Sequence, residues 1–265
     1  MSDKIVNDKE APSFGKELYD LVKVVVEALL IALIIRTFIF GLVVIPSGSM
    51  IPTLLVGDYL YVTKYAYGFS KHSFPYSVGP FSGRILGVEP KLGDVVVFKA
   101  SDKKTDFIKR LVGLPGDTIQ VKNGVLYIND AAVSKQRIAD FNDIDSYGNV
   151  KVVEQYVETL PTGVKHNTLD YGDVIVNEGS VNPDNTRVYE VPSGHYFMMG
   201  DNRDGSNDAR FQTSVKMVSF EDIIGRADFL LLSFKGGGSF YKFWEWPNTM
   251  RTERMFQSLD NYVDK

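Results

Sequence analysis

Residues 118–128 read Thr-Ile-Gln-Val-Lys-Asn-Gly-Val-Leu-Tyr-Ile. β-branched and aromatic residues flank Asn123-Gly124, and Asn-Gly supplies the positive φ angles of a two-residue hairpin turn. The stretch predicts two antiparallel strands. The same vocabulary recurs outward from it. Asp58-Tyr59-Leu60-Tyr61-Val62, Asp94-Val95-Val96-Val97-Phe98 and Phe107 to Val112 read as strands upstream. Downstream, Arg187 to Val191 and His195 to Met199 flank the turn Pro192-Ser193-Gly194. Residues 129–186 are more polar and carry scattered turn residues, and they read as an insertion of lower regularity. Beyond Gly236-Gly237-Gly238, residues 250–259 (MRTERMFQSL) predict a short amphipathic helix. The expected fold class is mainly β: a β-sheet core with an inserted region.

Only one segment departs from this pattern. Residues 21–45 (LVKVVVEALLIALIIRTFIFGLVVI) hold a 22-residue apolar run from Val24 to Ile45, broken by Glu27 and Arg36. At about 1.5 Å per residue, such a helix spans a ~30 Å hydrocarbon core. The alternatives are a buried globular helix or a cleavable leader, and the leader lacks a basic start and an Ala-x-Ala site. The expectation is one membrane anchor over 21–45, with residues 1–20 cytoplasmic and 46–265 an extracytoplasmic domain. Lys4, Lys9, Lys16 and Lys23 precede or enter the run, and the next basic residue after Arg36 is Lys64, which sets that orientation.

Composition excludes several chemistries. The 265-residue chain has no cysteine, so thiolate nucleophiles, disulfides and Cys-built zinc sites are ruled out. Its three histidines, His72, His166 and His195, have no helical ligand spacing, so no metal site is expected. No cofactor is indicated. A net charge of −4 argues against nucleic acid as a partner.

Four segments carry the chemistry. Pro46-Ser47-Gly48-Ser49-Met50-Ile51-Pro52-Thr53-Leu54 is a proline-bounded loop in which two serines two apart point the same way. Alone, it reads better as a juxtamembrane linker. Gly57 to Lys64 is a turn feeding a strand. In Asp106 to Asp117, strand alternation puts Lys109 on the apolar face of Phe107 and Leu111. Desolvation there lowers the lysine pKa and creates a general base, the plainer alternative being a snorkelling lysine. Gly200 to Arg210 (GDNRDGSNDAR) is dense in small and charged residues, and lacks the terminal glutamate of a calcium loop.

Taken together and in this order, PSGSMIPTL, GDYLYVTKYAYG, FIKRLVGLPGD and GDNRDGSNDAR resemble the four boxes of bacterial type I signal peptidases, membrane-anchored Ser/Lys proteases that remove signal peptides from exported preproteins. The resemblance runs from the anchor to about residue 234. It implies a signal-peptidase-type β-sheet core with an inserted β-rich subdomain, about 129–186, behind one transmembrane helix in the cytoplasmic membrane. It implies Ser49 as nucleophile and Lys109 as general base. The Ser49 N–H and the Ser47 hydroxyl would form the oxyanion hole, and Ser206 would hydrogen-bond the lysine amine. Val43, Ile45, Pro46, Met50, Leu54, Phe107 and Ile108 match the shallow pockets for small residues at −1 and −3. Asp201 with Arg110, and Asp208 with Arg210, match structural ion pairs. The implied partners are signal peptides and the lipid bilayer. Gly41-Leu42, Gly205 and Ala209 depart from the commoner residues of the boxes without removing a catalytic group. Two other classes compete: a self-cleaving Ser/Lys protease, disfavoured by an anchor where a DNA-binding module would stand, and a membrane-tethered, non-enzymatic β-domain. Phe240, Phe243, Trp244 and Trp246 read equally as a lipid-facing cluster or as core packing.

Overall fold

The computed structural model describes residues 14–79, 81–144, 149–172, 181–213, 215–235 and 238–260. Helix α1 (Phe14–Phe38) leads into β1 (Phe40–Val44) and, past a loop, β2 (Asp58–Thr63). There follow β3 (Phe69–Ser70), β4 (Arg84–Ile85), β5 (Val95–Lys99), β6 (Asp106–Gly113), β7 (Thr118–Lys122), β8 (Val125–Ile128) and β9 (Ala131–Ala132). The chain continues through β10 (Ser134–Arg137), β11 (Phe141–Ile144), β12 (Val150–Thr159), β13 (Lys165–Asp170), β14 (Tyr189–Glu190) and β15 (His195–Met199). It closes with β16 (Val218–Ser219), β17 (Ile223–Ser233), the one-turn helix α2 (Trp246–Thr249) and β18 (Gln257–Ser258). The protein is mainly β.

The principal sheet has the order β1-β2-β17-β5-β6-β15-β16, with β18 added to β17. Its longest strand, β17, shifts register between Ile223 and Gly225, Ala227 and Phe229, and Leu230 and Leu232. Each irregularity bends a strand and raises its local twist, so the sheet curls. Leu60, Val62, Val95, Val97 and Leu230 pack inside one side of the curl; Val96, Phe98, Leu111 and Tyr196 pack on the other. The hairpin of β7 and β8 forms around Asn123 (φ 50°) and Gly124 (φ 70°), as its sequence predicts, within a second sheet ordered β14-β7-β8-β9.

Three expectations change. The helix ends at Phe38, and residues 40–44, assigned to the anchor, form β1 paired with β2. The β-branched and aromatic residues after Thr37 favour a strand, and β2 offers a partner edge. Among the described residues, no helix is long and apolar enough to cross a membrane; Lys23, Glu27 and Arg36 interrupt the apolar run. Residues 1–13, most of the expected cytoplasmic segment, lie outside the described residues. The inserted region is more regular than its composition suggests. Its ten-residue strand β12 pairs with β10, β11 and β13, while 145–148 and 173–180 lie outside the described residues. The helix expected over 250–259 is instead a 3-10 turn (Thr252–Arg254) and β18, because pairing with β17 takes up the backbone of Gln257 and Ser258.

Candidate active site

The loop between β1 and β2 is pinned at its base. Ile45 N donates to Asp58 O and Gly57 N donates to Ile45 O, each at 2.9 Å. The Asp58 carboxylate accepts from Leu55 N, Ser233 Oγ and Arg254 Nη2 at 2.6–2.9 Å. Met50 and Leu54 are fully buried and anchor the loop from below. Driving these apolar groups inward leaves Ser47 exposed and Ser49 half-exposed at the crest.

Lys109 comes from β6, held between β5 and β15. Strand alternation sends Ile108 towards the cluster of Ile45, Met50 and Leu54, and Lys109 to the opposite face. Lys109 is only 2% exposed, and its Nζ donates to Ser49 Oγ at 2.5 Å. Burial pulls its pKa down to about 8; Asp208 and Asp201 oppose that shift and Arg210 reinforces it. A lysine of this kind is an ammonium at low pH and a free amine just above neutrality, within reach of a hydroxyl that it can deprotonate.

The segment 200–210 closes the site from the third side. Arg110 Nε and Nη2 donate to Asp201 Oδ1 and Oδ2 at 2.8 and 2.7 Å, and Thr53 Oγ1 donates to Asp201 Oδ2 at 2.6 Å. Burial pushes Asp201 up, but the Arg110 guanidinium brings it below the ordinary carboxylate range. Arg210 Nε and Nη2 grip Asp208 at 2.9 Å each. Both pairs are buried and fix the loop through bidentate geometry.

The predicted groups are therefore brought together unevenly. Ser47, Ser49, Lys109 and Phe107 line one cavity of about 340 Å³. Val43, Ile45, Met50, Leu54 and Ile108 share one apolar cluster. Met50 and Leu54 form its floor, and Pro46 is exposed. The hydrogen bond from Ser206 to the lysine amine is not formed. Ser206 Oγ is buried without a partner, packed so near Gly200 that any side chain there would collide with it and with Ser49 O. The Lys109 amine reaches Ser49 instead.

Sequence reasoning overlooked Asn202. Its N–H donates to Ser49 O at 3.2 Å and its Nδ2 to Gly48 O at 3.0 Å, so it holds the serine loop by backbone and side chain together. Its place inside GDNRD was the available signal. Asp143, on the cavity wall, gave none, since it lies in the irregular-looking insertion. Among the described residues, no group of three or more acidic or histidine side chains is arranged to hold a metal ion.

Comparison with known proteins places this geometry in context. Residues 18–232 match the family described as "Signal peptidase, peptidase S26". The chain is 36% identical over 248 residues to proteins named Signal peptidase I from Rickettsia typhi and Rickettsia prowazekii, covering 87% of this chain and 90% of each. The equivalent protein of Rickettsia akari is also 36% identical, with coverage of 87% and 89%. A crystal structure of a signal peptidase I from Enterococcus faecalis V583 aligns with 52% of this chain and 97% of its own, at 22% identity and a TM-score of 0.30.

Proposed function

Because the chain belongs to the signal peptidase, peptidase S26, family, we propose that it is a serine endopeptidase that removes N-terminal signal peptides from exported preproteins. The observation that carries the mechanism is the contact between the buried Lys109 amine and Ser49 Oγ. Ser49 attacks the carbonyl carbon of the −1 residue while the neutral Lys109 amine takes its proton. The oxyanion is held by the Ser49 N–H and the Ser47 hydroxyl. The C–N bond then breaks, and Lys109 returns the proton to the departing amine. Water, activated by the same lysine, releases the acyl group. Removing one oxyanion donor typically costs about 10²–10³ in rate, which sets the expected loss for Ser47→Ala.

Val43, Ile45 and Ile108 offer a shallow apolar wall suited to small side chains at −1 and −3, with Met50 and Leu54 beneath it and Phe107 beside the lysine. Arg110–Asp201 and Arg210–Asp208 are scaffolding, and Ser206 shapes the floor under Ser49. No cofactor enters these steps. In this reading the expected domain 46–265, extended by β1 (Phe40–Val44), forms one extracytoplasmic catalytic domain with the β-rich insertion at about 129–186. Helix α1 (Phe14–Phe38) supplies the single attachment to the cytoplasmic membrane, its N-terminus on the cytoplasmic side. Support comes from α1 itself: its apolar side chains are exposed, Lys23 and Glu27 pair at 3.9 Å, and Arg36 sits near its end, where a long side chain snorkels.

The test is mass-spectrometric detection of cleavage in a signal-peptide substrate ending in Ala-x-Ala, comparing the parent chain with Ser49→Ala. Cleavage at that site by the parent alone is expected. Equal cleavage by Ser49→Ala would overturn the assignment, and a non-enzymatic tether would show none in either.

A further inference from the structure

The wall facing the nucleophile carries a charge that this chemistry leaves unused. The cavity holding Ser47, Ser49 and Lys109 is closed on its far side by Asp143, Asn202 and Asn207. Asp143 belongs to β11, in the insertion, and is half-buried. Tyr171 Oη donates to Asp143 Oδ2 at 3.4 Å. Asn202 Nδ2, which holds Gly48 O, also reaches Tyr171 Oη at 3.4 Å. Two side chains thus tie the carboxylate to the loop that bears Ser49. Its cross-strand neighbour is Lys151, whose ammonium lies 4.2 Å from the centre of the Tyr171 ring and does not line the cavity. The negative member of that pair is the one presented to the cleft.

The direction of the substrate follows from the two walls. Val43, Ile45 and Ile108 make an apolar wall on the β1 and β6 side of Ser49, which suits the acyl side of the peptide. An extended chain advances about 3.3 Å per residue. Its first residues past the scissile bond must therefore cross towards Asp143, Asn202 and Asn207. We propose that Asp143 is the specificity-determining residue of a leaving-side subsite, which favours a cationic residue and disfavours an acidic one immediately after the cleavage point. This rests on the proteolytic reading above. The polar pair Asn202 and Asn207 accepts uncharged residues, and Asp143 adds an electrostatic preference that screening by salt weakens.

The experiment uses the full chain in detergent micelles and three peptides identical through Ala-x-Ala. They differ only in the first residue after the scissile bond: Lys, Gln or Glu. At low salt, kcat/KM for the Lys peptide is expected to exceed that for the Glu peptide by about fivefold, the range of a partly solvated charge pair. The ratio should approach one in about 1 M salt, where the screening length is about 3 Å. The isosteric Asp143→Asn should bring the low-salt ratio near one, and Asp143→Lys should invert it. A ratio that survives in Asp143→Asn, or a parent enzyme indifferent to the charge, overturns the subsite alone. A parent chain that cleaves none of the three overturns the proteolytic reading, and the subsite with it.

Discussion

Burying Lys109 costs the folded chain stability, and the cost has a sign that can be measured. Unfolded, the lysine keeps its proton to about pH 10.4; folded, it gives the proton up near 8. Between those values the unfolded state binds more protons, so stability rises with pH; below about 8 the full penalty of about 3 kcal/mol applies. Lys109→Met should therefore abolish processing and also stabilise the fold at pH 7 by about 1–3 kcal/mol once the lost bond to Ser49 is deducted, seen as a higher melting temperature. The gain should shrink as the pH approaches 10. A Met variant that melts below the parent at pH 7 would show that the amine is not strained by burial. The same group governs rate: activity should climb with pH to a midpoint near 8, since only the free amine accepts the serine proton. A rate that stays flat well below neutral pH would exclude a lysine base. Asp201→Asn has the opposite stability sign. It leaves the buried Arg110 guanidinium half-paired, and a loss of about 3–5 kcal/mol is expected in urea denaturation.

At the scale of elements, the serine loop depends on the insertion as well as on the central sheet. Leu169 in β13 donates from its N–H to Asp201 O at 2.9 Å and accepts from Arg203 N at 3.0 Å. Its side chain packs with Ile51 and Val153 beneath the loop. Leu169→Ala should cost about 2–5 kcal/mol and lower kcat more than it raises KM, because the crest carrying Ser49 loses its backing; an unchanged kcat would make β13 a mere appendage. This dependence also explains what could be read from the chain in advance. The strands β2, β5, β6 and β15 and the β7–β8 hairpin were legible because each joins β-branched runs to strong turn residues. Ser49 and Lys109, which the fold brings into contact, were singled out because the boxes that carry them are local in sequence. β17, the longest strand of the principal sheet, was not singled out: Gly225, Arg226 and Asp228 interrupt its alternation, and the three register shifts that make the sheet curl break the two-residue period. β12 and β13 were hidden for another reason. Their polar residues, among them Glu158 and His166, are buried by tertiary contacts with Arg203 and Asp201 rather than exposed. Residues 40–44 were misread as helix because a strand and a membrane helix share the same apolar composition, and only the presence of β2 decides between them.

For the whole molecule, that last point relocates the boundary between attachment and catalysis. β1 is both the end of the apolar segment and an edge strand of the catalytic sheet, paired with β2 from Phe40 to Val44. The helix is clamped at its exit by β3 and the loop that follows it. Phe38 packs edge-on against Phe69 and Phe74 at 5.3 and 5.8 Å, and Thr37 is buried. The loop that carries Ser49, which follows β1, therefore stands at a fixed place relative to the end of α1. The C-terminal aromatics divide between the two readings of the sequence. Trp246 stacks near Phe234 and Phe240, at 6.0 and 5.9 Å, whereas Phe243 and Trp244 remain exposed. Two truncations separate attachment from folding. A chain beginning at residue 40 keeps β1 and should cleave a short peptide in detergent at a rate near that of the parent, yet fail to float with liposomes or to process a membrane-inserted preprotein. A chain beginning at residue 46 loses β1, exposes the edge of β2 and should melt lower and lose peptide cleavage as well. Equal behaviour of the two would mean that β1 contributes nothing to the catalytic sheet. Flotation of the residue-40 chain as complete as that of the parent would mean that α1 is not what holds the protein at the membrane.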